Sequence, residues 1–341
     1  HVVLLLVKKY PQYHIVNFDK LDYCSSLKNL AEIEDAPNYT FIKGDICSSD
    51  LVNYVLKNEK IDTIMHFAAQ THVDNSFGNS FTFTATNVLG THVLLEAAKL
   101  AKLKLFLHVS TDEVYGEGEI GGEASHEGTI LEPTNPYAGS KAGAEYLVKA
   151  YARSFGLPII ITRGNNVYGP HQYPEKLIPK FINMLFRGMK LTMHGTGRNT
   201  RNFLFVEDVA RAFDVVLHKG VIGQIYNIGG NNEFANIDVA RTLLKVMGKA
   251  GEGSADELAD RESRPLQEGL RGRFDHSREH FVEKTLRFRN VPKPTIAGVQ
   301  GYCIFAGWMV ASAMDIIFAA DNAMFLSANF QYFSIPWDLP P

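Results

Sequence analysis

Between residues 14 and 229 this chain alternates short apolar runs with helical stretches, and that alternation restricts its fold more than any other feature. The runs are 14–19, 39–46, 62–69, 105–109 and 157–163, each ending in or just before polar or small residues, with a last one at 224–229. Between them, apolar positions recur at helical spacing over about 49–57, 87–101 and 137–155; in the second, Val88, Val93, Leu94, Ala97 and Ala98 face inward. Strands that alternate with helices predict an α/β fold with a doubly wound parallel sheet. In such sheets ligands bind beyond the carboxyl ends of the strands, so the residues that close each run are the first place to look for chemistry.

The run at 105–109 leads into Ser110-Thr111-Asp112-Glu113-Val114-Tyr115-Gly116, four polar groups in a row at a strand end. Downstream, Tyr137-Ala138-Gly139-Ser140-Lys141 opens a helix. A spacing of four places Tyr137 and Lys141 one turn apart on one helix face. An ammonium group there is expected to lower the tyrosine pKa and make the phenol a usable base near neutral pH. Tyr-x-x-x-Lys alone is common in helices, and Asp112-Glu113 alone suits a solvated turn. The two motifs together point to acid–base catalysis.

Asp19 closes the run at 14–19. An acid at the end of the second strand of a dinucleotide-binding fold takes the adenosine ribose hydroxyls and disfavours a 2′-phosphate, so it favours NAD over NADP; a plain turn residue fits as well. Phe67-Ala68-Ala69 suits either a cofactor wall or tight packing. Residues 164–170 read as a polar strand-end loop, and a helix follows from about 173 to Arg187. Arg198 and Arg201 stand in a glycine-punctuated loop, a placement that suits a diphosphate.

Several classes of function are disfavoured. The chain has 341 residues, 45% hydrophobic and 21% charged, ordinary for one large or two ordinary globular domains. A net charge of -3 gives no attraction for nucleic acid or an anionic membrane. The apolar stretch from Gly298 to Ala320 is interrupted by Gln300 and Asp315 and reads as core rather than a membrane span. Lys8 and Lys9 follow the apolar residues 2–7, the reverse of a signal peptide. Cys24, Cys47 and Cys303 are far apart and show no CxxC pairing, so neither a zinc site nor a disulfide framework is expected. A cytoplasmic setting is the natural expectation.

These motifs, with His66-Phe67-Ala68-Ala69-Gln70-Thr71-His72-Val73-Asp74 and Leu21-Asp22-Tyr23-Cys24-Ser25-Ser26, closely resemble an extended short-chain dehydrogenase/reductase. The resemblance runs from residue 1 to about 248. It is to the nucleoside-diphosphate-glucose 4,6-dehydratases, above all the dehydratase region of UDP-rhamnose synthases and the dTDP-glucose enzymes. Epimerases of the same superfamily lack the adjacent Asp-Glu pair. The resemblance implies a Rossmann-like fold, NAD as cofactor, a nucleoside-diphosphate-sugar substrate and rhamnose-type nucleotide-sugar biosynthesis. It makes Tyr137, supported by Lys141 and Thr111, the base at the C4 hydroxyl, Glu113 the base at C5 and Asp112 the acid at C6. Asp19, Lys20, Asp45, Ile46, Phe67, Ala68, Ala69 and Thr71, with Tyr137 and Lys141, would line the cofactor site. Asn166, Glu175, Lys176, Leu177 and Arg201 would hold the substrate. A homodimer through the helices at 87–101 and 137–155 is also implied.

The same resemblance calls for a first strand and a Gly-x-x-Gly-x-x-Gly turn ahead of the apolar residues 2–7, and the chain begins after them. Cofactor affinity is therefore expected to fall. From about 255 the text resembles an enoyl-CoA hydratase/isomerase (crotonase) instead, carried by Val291-Pro292-Lys293-Pro294-Thr295-Ile296-Ala297-Gly298-Val299-Gln300-Gly301-Tyr302-Cys303 and Asp315-Ile316-Ile317-Phe318-Ala319-Ala320. Phe305-Ala306-Gly307 stands at the oxyanion-hole turn of that family and Met309 where some hydratases carry a glutamate. Asp260-Arg261-Glu262-Ser263-Arg264-Pro265 only loosely imitates the dehydratases' Asp-Arg-Pro segment. The expected organisation is an NAD-binding Rossmann-like domain over 1–163 lacking its first strand, substrate-binding segments with returning Rossmann elements over 164–248, a flexible junction at 249–254 and a partial crotonase-like segment over 255–341. A gene fusion, a faulty gene model and a deliberate chimera all fit such a join. Function then lies among a 4,6-dehydratase, an inactive chimeric chain and a crotonase-type acyl-CoA hydratase.

Overall fold

In the computed structural model the apolar runs fold as strands and the stretches between them as helices. It describes residues 1–116, 124–193, 195–230 and 233–248, together with the backbone of four short strands further on. Two units divide the chain, His1–Leu191 with Thr196–Ala259, and Thr192–Gly195 with Asp260–Pro341.

In the first unit the order is α1 (Val2–Lys9), β1 (Ile15–Asp19), β2 (Tyr39–Lys43), α2 (Ser49–Asn58), β3 (Thr63–His66), α3 (Val73–Gly78), α4 (Ser80–Phe83), α5 (Thr91–Ala101), β4 (Leu105–Thr111), α6 (Pro136–Phe155), β5 (Ile159–Gly164), β6 (Asn166–Tyr168), α7 (Leu177–Phe186), β7 (Thr200–Phe205), α8 (Val206–Lys219), β8 (Ile225–Ile228), β9 (Glu233–Ala235) and α9 (Asn236–Val246). The sheet order is β3-β4-β5-β8, with all pairs parallel. β1 and β2 form a separate parallel pair, and no described strand joins β1 to β3. β6, β7 and β9 make a third sheet, with α7 packed on α9.

β4 is the central strand, and its side chains alternate between two cores, as a pleated strand requires. Phe106 packs with Leu94, Leu95, Ala98 and Val148 from α5 and α6, and Leu105 and Leu107 pack with Val209, Phe213 and Val216 of α8. Phe106 is fully buried, and its replacement by alanine would cost about 3–5 kcal/mol. α2, with Val52 and Leu56, joins the first core and α1, with Val2, the second. This is the doubly wound arrangement that alternation predicts. Lys9 and Tyr10 clamp α1 to α8 by bonding Asp214 at 2.6 and 2.8 Å.

Several bounds differ from the sequence reading. The helix expected at 87–101 starts earlier: α4 leads through a π-helical turn over Thr84–Gly90 into α5. The loop expected at 164–170 contains β6, paired with β7, because edge strands this short carry no alternating signal. The helix expected from 173 starts at Leu177, after a turn containing Pro174. β9 and α9 have no counterpart in the sequence reading.

In the second unit the described strands are β10 (Ile296–Val299), β11 (Tyr302–Ile304), β12 (Ile316–Ala319) and β13 (Met324–Leu326). β10 pairs with β12 and β11 with β13, both parallel. The junction at 249–254, the 260–265 segment, the Phe305-Ala306-Gly307 turn and Met309 lie outside the described residues.

Candidate active site

The end of β4 and the start of α6 converge. Thr111 ends the strand and caps a 3-10 turn, Asp112–Tyr115, accepting the Glu113 backbone N–H at 3.3 Å. Gly116 leaves this turn at φ +86°, a conformation that favours glycine, and a Cβ there would collide with the Glu132 carbonyl. Asn135 caps α6 by accepting the Ala138 N–H at 2.8 Å, and Pro136 fills the first helical position, where no N–H is needed. The first turns of α6 then carry Tyr137 and Lys141, both buried, against β4.

The structure changes one expectation from spacing. Lys141 Nζ donates to the Val109 carbonyl at 2.6 Å, and burial holds its pKa down to about 8. Tyr137 is raised, first by burial and then by the Glu113 carboxylate, while a hydrogen bond with Thr111 pulls it back. Helical spacing set the two residues on one face. The ligand-free fold turns the amine to the backbone and leaves the phenol protonated.

Burial pushes the Asp112 carboxyl up, against the pull of hydrogen bonds from Asn165 and Thr111 and the Arg201 charge. Asn165 Nδ2 donates to Asp112 Oδ2 at 2.6 Å, and Thr111 Oγ1 donates to Oδ1 at 3.2 Å. Asn135 Nδ2 donates to Glu113 Oε2 at 3.2 Å. Thr111, Asp112, Glu113 and Tyr137 therefore share one end of the sheet, with Arg201 of β7 close enough to act on Asp112.

Behind them lies a polar layer. His66 and His108 face each other across β3 and β4, ring centroids 5.4 Å apart, and both are buried. Burial and the Lys141 charge lower both, His66 to about 3, so both stay neutral. Asn87 accepts the Gln70 N–H at 2.7 Å and donates to Gln70 O and Ser140 Oγ at 3.0 and 2.9 Å, bracing residues 67–71 against α6. Arg163 holds Glu145 through two donors at 2.7–3.2 Å and reaches Tyr115 Oη at 2.8 Å. Asn87, Asn135, Arg163 and Asn165 were not singled out as site residues in the sequence. Only Asn135, one residue before a proline that opens a helix, carried a capping signal.

The remaining strand ends suit an adenine dinucleotide. Asp19, half-buried at the end of β1, accepts Leu21 N–H at 2.6 Å, and Asp45, beyond β2, accepts Cys47 N–H at 2.9 Å. Lys20 pairs with Asp22 at 3.2 Å and reaches Asp45 at 4.0 Å. Ala68 and Ala69 are half-buried beyond β3, whereas Phe67 packs edge-on against Phe213 at 4.9 Å. Ile46 is 6% exposed and sits in the core. Buried Ser110 Oγ has no hydrogen-bond partner among the described residues, which leaves a hydroxyl for a ligand beside Thr111. These donors and acceptors fit NAD.

The substrate candidates group less tightly. Asn166 starts β6 and Leu177 starts α7. Glu175 accepts Tyr23 Oη–H at 3.0 Å, and Lys176 Nζ donates to Thr71 O at 3.1 Å, so both meet the cofactor-side loops. A cavity of about 300 Å³ lined by Asn29, Leu30, Tyr168, His171 and Val206, among others, contains none of the catalytic candidates.

A parallel sheet with an acid after β1 and a Tyr-x-x-x-Lys helix after β4 defines a site of the short-chain dehydrogenase/reductase class. Residues 1–276 match the GDP-mannose 4,6 dehydratase family, and the chain belongs to it. Residues 265–337 match the enoyl-CoA hydratase/isomerase family. Both resemblances read in the sequence are met.

Among relatives is the Arabidopsis thaliana trifunctional UDP-glucose 4,6-dehydratase/UDP-4-keto-6-deoxy-D-glucose 3,5-epimerase/UDP-4-keto-L-rhamnose-reductase RHM2. It is 60% identical over 263 residues, 76% of this chain and 39% of that protein. The human dTDP-D-glucose 4,6-dehydratase is 52% identical over 257 residues, 75% of this chain and 73% of that protein. A crystal structure of dTDP-glucose 4,6-dehydratase from Bacillus anthracis in complex with NAD superposes with a TM-score of 0.69 at 43% identity, covering 74% of this chain and 78% of that one. The chain thus spans about two-fifths of the trifunctional relative's length.

Proposed function

We propose that the first unit catalyses the NAD-dependent dehydration of a nucleoside-diphosphate-glucose, UDP- or dTDP-linked, to the 4-keto-6-deoxy sugar of rhamnose-type biosynthesis. One observation carries the reading: at the end of β4 an acid whose burial favours its protonated form, Asp112, stands next in sequence to Glu113, and both act on buried Tyr137. Elimination of water needs such an adjacent acid and base.

As the phenolate, the form that the Thr111 hydrogen bond favours, Tyr137 takes the C4 hydroxyl proton, with Lys141 one helical turn away. Bound NAD supplies the hydride acceptor at the first step and the hydride donor at the last, so the net change is loss of water. A C4 ketone acidifies C5; Glu113 takes the C5 proton while Asp112 gives its proton to the departing C6 hydroxyl. Asp19, Lys20 and Asp45 would hold the adenosine half, with Ala68, Ala69 and Thr71 alongside. Asn166, Glu175, Lys176, Leu177 and Arg201 would hold the sugar nucleotide. Higher identity to the UDP-glucose relative, 60% against 52%, favours UDP. Within this unit 1–163 takes the cofactor part and 164–248 the substrate segments.

The exposed faces of α4 to α6 carry Phe81, Leu89 and Tyr146, each more than half exposed, which supports a homodimer through these helices. Light scattering should give twice the chain mass; a monomer at high micromolar concentration would overturn this. No described helix is long and apolar enough to cross a membrane.

The test is an assay of the purified chain with NAD and UDP-glucose or dTDP-glucose, reading the 4-keto-6-deoxy product by its absorbance in alkali. Product is expected, and it should vanish in Tyr137→Phe. Product that persists in that variant removes Tyr137 from the mechanism, and no product from the folded chain with either nucleotide favours a non-catalytic chain.

A further inference from the structure

Asn165, between β5 and β6, is held from both sides. Its backbone N–H donates to Ile228 O at 3.1 Å, and its side-chain oxygen lies where a Cβ on Gly229 would come within 2.5 Å of it. With the amide oxygen on the glycine side, Nδ2 faces Asp112 and donates to Oδ2 at 2.6 Å. Resting on the dehydratase reading above, we infer that Asn165 is the positioning residue of the acid, deciding which oxygen of Asp112 carries the proton that leaves with the C6 hydroxyl.

Hydrogen-bond capacity sets the position of the proton. An amide N–H only donates, so Oδ2 must accept and the acidic proton is directed to Oδ1. Oδ1 lies 3.2 Å from Thr111 Oγ1, the hydroxyl that also bonds Tyr137. Once Oδ1 is protonated, Thr111 no longer donates to it, and its hydrogen is free for Tyr137. In the elimination the Oδ1–H bond breaks and its proton goes to the C6 oxygen as the C6–O bond breaks. The electron pair of the C5–H bond, whose proton Glu113 takes, forms the C5=C6 bond. Nothing is oxidised or reduced in this step.

The charged and titratable groups around Asp112 are Arg201 from β7, Tyr137 from α6 and neighbouring Glu113. Arg201 and the Asn165 amide favour the carboxylate, and burial favours the acid. Losing the amide must therefore move the titration of Asp112 upward.

Asn165→Ala and Gly229→Ala test the assignment. The second keeps Asn165 but displaces its amide, and the isosteric Asn165→Asp serves if alanine loosens the loop. Turnover in Asn165→Ala should fall roughly tenfold to a hundredfold. NADH absorbance should build up before product, because C4 oxidation by Tyr137 is untouched while water loss slows. The limb of the pH profile on which activity falls with rising pH should move to higher pH. Without cofactor, the infrared carboxyl titration of Asp112, taken against Asp112→Asn, should shift upward in both alanine variants. An unchanged titration in both folded variants, or slow turnover with no NADH build-up, overturns the inference. If the native chain forms no product, the dehydratase reading falls and the titration alone decides the role of Asn165.

Discussion

Asn135 serves Glu113 and helix α6 at once: its amide nitrogen donates to Glu113 Oε2 at 3.2 Å while its oxygen caps the helix through the Ala138 N–H at 2.8 Å. The orientation of Glu113, the proposed C5 base, is thereby tied to the helix that carries Tyr137. Asn135→Asp keeps a capping oxygen but sets a second carboxylate against Glu113. It should melt close to the native chain by circular dichroism yet lose turnover by tenfold or more. Asn135→Ala should also lose about 1 kcal/mol of stability with the cap. Native turnover in Asn135→Asp would show that the contact does not orient Glu113.

Arg163 and Glu145 form a buried pair, 2% and 0% exposed, joining β5 to α6 beneath the site. Arg163→Met strands the carboxylate in the interior, leaving only Lys149, at 3.6 Å, to pair with it among the described residues. The expected loss is about 3–5 kcal/mol in urea unfolding, most of it recovered in Arg163→Met with Glu145→Leu. A single variant as stable as the native chain would contradict the burial of this pair.

His66 and His108 make the fold acid-sensitive. Both are held neutral by burial, His66 titrating at about 3 instead of 6.5. As pH falls below about 6.5 the unfolded chain takes up protons that the folded chain refuses, so stability is lost on acidification. The slope is at most about 1.4 kcal/mol per pH unit for each histidine. As pH is lowered from about 7 to about 4.5, urea midpoints should fall less steeply in His108→Leu than in the native chain. Equal slopes would mean that His108 accepts a proton in the folded state.

Tyr23 donates to Glu175 Oε2 at 3.0 Å and meets the Tyr173 ring edge-on at 5.6 Å, linking the loop after β1 to the turn before α7. Tyr23→Phe removes one partly exposed hydrogen bond, about 1 kcal/mol, and should weaken UDP or dTDP binding roughly fivefold by calorimetry. An unchanged Kd would free Glu175 from this contact.

Much of the site was legible because its signals are local. Thr111, Asp112 and Glu113 are consecutive, and Tyr137 and Lys141 are one helical turn apart, so spacing alone could place them. Asn165 and Asn135 were not legible as site residues: their carboxylate partners lie 53 and 22 residues away in sequence, and an asparagine beside a strand or a proline has many uses. The short strands β6 and β9 were missed for a similar reason, since three residues hold no readable alternation.

The sequence by itself determined the fold class and singled out the groups that we propose react. Apolar alternation dictates which faces are buried, and strand ends of a parallel sheet collect polar residues wherever the helices lie. Only the tertiary structure decided how those groups are poised. It turned the Lys141 amine to a backbone carbonyl, left Tyr137 protonated and gave Asp112 and Glu113 each an asparagine donor. Protonation and orientation depend on desolvation and on partners brought from distant segments, and neither exists until the chain has packed.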